Sequence, residues 1–185
     1  MMSLDAILGI FLAGLLSNNY AIMHFLGTGA VIENKRSSRK SLLVGLMTTL
    51  VMVISTAITW PIQTYVLNPA GVSYLQNMVF VAVMLLVVEL IHLFTKNKLE
   101  AFCKVDFMKF AINGAVMGLC IHNTVLDFVE AVVTAAAVGI GFMLTMTVFA
   151  KLSGKIDQDA VPAAFRGLPI NLLCAGMIAL ALLAF

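Results

Sequence analysis

The 185 residues are 62% hydrophobic and only 11% charged, with a mean hydropathy of +1.05. A soluble domain of this length needs far more polar residues to cover its surface, so the composition excludes a water-soluble globular protein and points to an integral membrane one. The net charge of +2, with no stretch that pairs basic residues with aromatic stacking platforms, argues against nucleic-acid binding.

A hydrocarbon core about 30 Å thick takes about 20 apolar residues in helix. On that criterion six spans are expected in one all-α membrane domain over 1–185. The first, 4–32, opens "MMSLDAILGIFLAGLLSNNY"; Asp5 stands where a signal peptide would be basic, and the apolar run continues past any cleavage site. It is too long for one straight crossing and is interrupted by Asn18, Asn19 and His24, followed by Gly27-Thr28-Gly29. The second span, 42–65, ends near Trp60-Pro61 and leads into "QTYVLNPAGVSY" (63–74). The third, 75–95, carries Glu89 and His92. The fourth, 106–122, is short and broken at Asn113-Gly114; the fifth covers 129–150 and the sixth 168–185.

Charge placement orients these spans. Lys and Arg fall at 35, 36, 39 and 40, at 96, 98, 104 and 109, and at 151, 155 and 166, whereas the connections after spans two and four have none. By the positive-inside rule the three basic connections are cytoplasmic and both termini face outward. Trp60, Tyr65 and Tyr74 then belong to the outer interface, where amphipathic rings are favoured, and Asp127 and Glu130 are solvated at the outer ends of spans four and five.

Three spans followed by three more place homologous halves in opposite orientations. "NYAIM" (19–23) is similar to "NGAVM" (113–117), and "NPAGV" (68–72) to "VPAAF" (161–165), at corresponding places in halves of approximately 1–96 and 104–185. The expectation is an inverted repeat with interrupted first and fourth helices. Asparagine in hydrocarbon is costly unless its amide is paired, and backbone freed by glycine must face protein or a polar cavity. A single asparagine would read as helix-packing glue. Asn18, Asn19 and Asn113 in matching breaks point instead to a midplane or ion-path site.

Other polar side chains leave two readings open. His24 suits either ion or proton passage or a hydrogen-bonded interior histidine. Glu89 and His92 have the Glu-x-x-His spacing of di-metal bundles, but one copy lacks the further carboxylates, so no metal site is expected. Glu89 is either a proton-coupling carboxylate or half of an interhelical structural pair. Arg166 is an interface residue that anchors lipid phosphate or a partner protein, or simply marks helix entry. Cys103, Cys120 and Cys174 are scattered and odd in number, which favours small buried hydrophobes over a disulfide or zinc framework.

Four stretches carry a family resemblance: "NNYAIMHFLG" (18–27), "NGAVMG" (113–118), "VPAAFRG" (161–167) and "AGMIALALLAF" (175–185). The chain resembles the NqrDE/RnfAE family, the A and E subunits of Rnf and the D and E subunits of Nqr, over nearly its whole length. The resemblance implies a non-catalytic membrane subunit of a redox-driven, ion-translocating complex in the prokaryotic cytoplasmic membrane. It also implies pseudosymmetric pairing with a homologous six-helix membrane subunit, and further Rnf/Nqr-like subunits, with flavins in partners. In the family each of the paired subunits gives two cysteines to a [2Fe–2S] cluster. The matching positions here are Gly29 and Gly114, and Cys120 lies about 9 Å further along a helix. The expectation is therefore a divergent member that binds no cofactor by itself. Two alternatives stay open: a small-molecule transporter or substrate-binding subunit resembling the S components of energy-coupling-factor importers, and a non-redox scaffold of the same fold.

Overall fold

The computed structural model describes residues 9–14, 38–103, 114–157 and 161–182. Among these residues all regular structure is helical. The five longer helices are α1 (Ser38–Ile62), α2 (Gln76–Cys103), α3 (Gly114–His122), α4 (Phe128–Ser153) and α5 (Leu168–Leu182), and 9–14 is helical as well. Among the described residues three stretches are long and apolar enough to cross a bilayer: Ser41–Leu67, Ser73–Leu93 and Phe128–Ser153. Two shorter apolar helices cover Gly114–Val125 and Leu168–Ala181. Asn18, Asn19, His24, Gly29 and Asn113 lie outside the described residues.

Helix ends follow local chemistry. Pro61 has no N–H to return to the Ala57 carbonyl, and α1 widens into a π-type turn at Gln63–Leu67, closed by Asn68 N–H donating to the Gln63 carbonyl at 3.0 Å. Gly71, at φ 68°, then reverses the chain into a 3₁₀ turn at Ser73–Leu75 and α2. α2 continues to Cys103, eight residues beyond the expected span end at 95. Hydropathy marks where a helix leaves the membrane, not where it ends, and "KNKLEAF" contains no glycine or proline to stop it.

α1 and α4 form the centre of the bundle. A Cβ placed on Gly45 would stand 2.8 Å from Met143 Cα, and one placed on Gly139 would stand 2.5 Å from Thr49 Cγ2. Such backbone approach is how small residues bring membrane helices together where no hydrophobic force drives them. Around this pair close Met52, Val87, Phe80, Leu119, Val116 and Phe142, drawn from α1, α2, α3 and α4. Gly14 faces Ala137, so the helical stretch 9–14 also packs on α4. Threonine hydroxyls are satisfied within their own helices: Thr48 donates to the Val44 carbonyl at 2.9 Å, Thr49 to Gly45 at 2.8 Å and Thr147 to Met143 at 2.8 Å.

Candidate functional site

α1 and α3 lie side by side and run in the same direction. Thr56 Oγ1 is 3.9 Å from Cys120 Sγ, and one turn further Trp60 Nε1 donates to the Leu126 carbonyl at 2.8 Å. This register sets the 3₁₀ turn Asn123–Val125 that ends α3 level with Thr59, and Gln63, in the π-type turn after α1, follows about 6 Å further along. Buried hydroxyls approach the same place along α1. Ser55, Thr59 and Gln63 recur every four residues on one face, with Thr56 beside them, and all are buried.

Two amides dominate this seam. Asn123 Nδ2 donates to the Ala131 carbonyl at 3.0 Å, tying the end of α3 to α4. Gln63 Nε2 donates to Asn68 Oδ1 at 2.8 Å, which also accepts from Ser73 Oγ at 3.1 Å. Gln63 is thus paired amide to amide, whereas Asn123 is fixed in orientation, because turning its amide over would set its oxygen against the Ala131 carbonyl. Among the described residues Gln63 Oε1 and Asn123 Oδ1 are left buried with no donor, as is Ser55 Oγ. An orphaned buried polar atom costs about 1–3 kcal/mol. Ser55, Gln63 and Asn123 make this seam a polar part of a largely apolar bundle core. Trp60 covers its end, edge-on to Tyr65 at 6.2 Å and to Phe128 at 5.3 Å, while Tyr65 and Tyr74 are exposed.

The residues singled out from the sequence are distributed differently. Glu89 is exposed on α2, about 20 Å along the helix from Gln76. Arg166 is exposed after the far end of α4, where its Nε donates to the Val161 carbonyl at 2.8 Å and Gly167 at φ 81° completes the turn into α5. Gly114 is the exposed first residue of α3. The structure brings none of these three into the seam. The sequence signal for the seam is the four-residue spacing of Ser55, Thr59 and Gln63, which sets three polar side chains on one helix face.

Cluster binding is testable on the donor set. A [2Fe–2S] centre of this kind takes four thiolates. Gly114 has no side-chain donor, Cys120 is buried against a threonine hydroxyl, and Cys174 is half-buried on α5. No three His, Cys, Asp or Glu side chains gather into a metal-holding group among the described residues. These residues do not fit the cluster.

Comparison with known proteins agrees with the helical membrane architecture. Over 181 residues the chain is 32% identical to the A subunit of the ion-translocating oxidoreductase complex of Syntrophotalea carbinolica, covering 95% of this chain and 94% of that one. It is 28% identical, at the same coverage, to the A subunit of the Na(+)-translocating ferredoxin:NAD(+) oxidoreductase complex of Acetobacterium woodii. The A subunit of an Escherichia coli ion-translocating oxidoreductase complex is 29% identical over the same share. Residues 7–185 match the family described as Rnf-Nqr subunit, membrane protein, and the chain belongs to that family.

Proposed function

We propose that this protein is the A-type membrane component of an Rnf-like ion-translocating electron-transfer complex, and that it serves there without cluster ligands of its own. The match to A subunits of such complexes over 95% of the chain carries this reading. Glycine at 29 and 114, where the resemblance places cysteines, supports its second half. The chain contributes architecture and polar surfaces; electron-carrying groups, flavins included, belong to partner subunits, one of them a homologous six-helix protein paired pseudosymmetrically with this one. Its home is the prokaryotic cytoplasmic membrane, with the basic connections inside and both termini outside.

The packing of α1 on α4 supports an inverted repeat of halves 1–96 and 104–185. Asn19 and Asn113 are separated by 94 residues, and so are Gly45 and Gly139, and Thr49 and Met143. Gly45 abuts Met143 while Gly139 abuts Thr49. The two contacts therefore exchange under the shift that superposes the asparagine motifs, as an internal two-fold axis requires. Under this reading Asn18, Asn19, His24 and Asn113 sit at paired midplane breaks and are the ion-path residues to test first.

Affinity purification of the tagged chain from its own membranes is the direct experiment. Co-purification of Rnf-like subunits, with loss of ion-coupled electron transfer on deletion of the chain, is the expected result. A chain that purifies alone and whose deletion leaves membrane electron transfer intact is not part of such a complex. Thiol labelling of Ala70→Cys from outside and Lys155→Cys from inside checks the orientation.

A further inference from the structure

Glu89 lies within the apolar span Ser73–Leu93, is exposed, and makes no hydrogen bond or ion pair among the described residues. It is seven residues, about 10 Å of helix, from Lys96, the first charged residue after it. The side chain gets little relief from that end of the helix. Cα–Cβ bonds in a helix tilt toward its N-terminus, so Glu89 leans toward the Gln76 end and deeper into the hydrocarbon. A carboxylate left against lipid at such depth is costly, and intramembrane acids accordingly face protein or a polar cavity.

Glu89 also stands in a stripe. Met78, Ala82, Leu85, Glu89 and Leu93 follow one another at intervals of three and four along α2, and all are exposed. That is the spacing of a face that packs along another helix. α2 is the least covered of the three long spans, with 22% of its apolar window buried against 50% for α4.

We infer that this face of α2 is a docking surface for a transmembrane helix of another subunit, one that presents a basic or amide side chain to Glu89. The inference rests on the proposed membership in a multi-subunit complex and adds where this chain meets a partner and by what chemistry. Apolar residues of the stripe supply packing, and the acid supplies the choice of partner, because a helix without a donor at that depth leaves it unmatched.

The test uses the intact membrane complex, with a photo-crosslinking phenylalanine analogue at Leu86, beside Glu89 on the exposed side of α2, and at Leu180 on α5 as a second exposed site. The expected result is a Leu86 cross-link to a membrane-spanning peptide of another subunit that contains Lys, Arg, Asn or Gln. Glu89→Leu should reduce retention of the cross-linked partner about tenfold or more, whereas Glu89→Gln, which keeps an acceptor, should stay within about threefold. Lipid adducts alone at Leu86, or equal retention by Glu89→Leu, overturn the inference while leaving complex membership standing. Loss of thermal stability in the isolated Glu89→Leu chain also overturns it, by making the acid an internal structural residue. A wild-type chain that purifies without partners overturns both.

Discussion

Gly45 and Gly139 hold equivalent places in α1 and α4: each admits the opposite helix to backbone contact, Gly45 at Met143 and Gly139 at Thr49. Neither contact can accept a side chain without moving a helix. At Gly45 the nearest atom is the Met143 Cα, and at Gly139 the Thr49 Cα stands only 3.0 Å from a Cβ, behind its methyl.

Alanine at either glycine should therefore destabilise the bundle by about 1–3 kcal/mol, the usual range for overpacking. The two losses should be similar, because the contacts are equivalent. Gly176 is the contrast: a Cβ there meets nothing within 4 Å, so Gly176→Ala should be neutral or slightly stabilising. Thermal unfolding of the three variants in one detergent decides this. A Gly45→Ala protein as stable as wild type would mean that α1 and α4 are not held at backbone distance.

Trp60 is the only tryptophan in the chain, which makes the aromatic end of the seam observable by fluorescence. Its indole N–H holds the Leu126 carbonyl and its ring packs edge-on against Tyr65 and Phe128. Trp60→Phe loses that bond and some ring contact, and should cost about 1–2 kcal/mol. In wild-type protein in vesicles, quenchers carried at the lipid headgroup level should reduce the emission more than quenchers at the bilayer centre. The reverse order would put Trp60 away from the interface.

How far the sequence revealed this molecule differs from element to element. Spans 42–65 and 129–150 anticipate α1 and α4 closely, because unbroken apolar runs bounded by charge or proline have one solution in a membrane. The far end of α2 was not legible, since "KNKLEAF" is polar enough to leave the bilayer yet entirely able to stay helical. The family was legible from "NNYAIMHFLG" and "PAAFRG", where polar residue types stand at offsets that hydrophobicity alone does not demand. The polar seam was not. Gln63 and Asn123 come from connections after two different spans, and only the register of α1 on α3 sets them about one turn apart along the same seam. Glu89 stands out in the sequence as an intramembrane acid, but its exposure on the outer face of α2 required the packing of the neighbouring helices.

The orphaned oxygens of the seam make an asymmetric prediction. Gln63→Met keeps the length of the side chain, removes the unpaired Oε1 and gives up the bond to Asn68. Gain and loss are of similar size, so stability should stay within about 1 kcal/mol of wild type. Asn123→Ala gives up the tie to Ala131 and empties a fully buried position, and should cost about 2–4 kcal/mol. Chemical denaturation of both variants measures the difference. Equal losses would show that Gln63 Oε1 has a partner after all.

Cys120 provides the sharpest test of cofactor content. Its sulfur is buried beside the Thr56 hydroxyl, on a helix whose first residue, Gly114, stands where the family resemblance expects a ligand. If the thiol is only a small core group, Cys120→Ala should lower stability by about 1–2 kcal/mol, through lost packing alone. Iron per complex and the electron paramagnetic resonance spectrum of the reduced complex should not change. The purified chain by itself should carry no iron at stoichiometric level. A [2Fe–2S] signal that disappears with Cys120→Ala would instead make this cysteine a ligand. It would require α3 to be rebuilt by about 9 Å relative to the position that Gly114 now occupies.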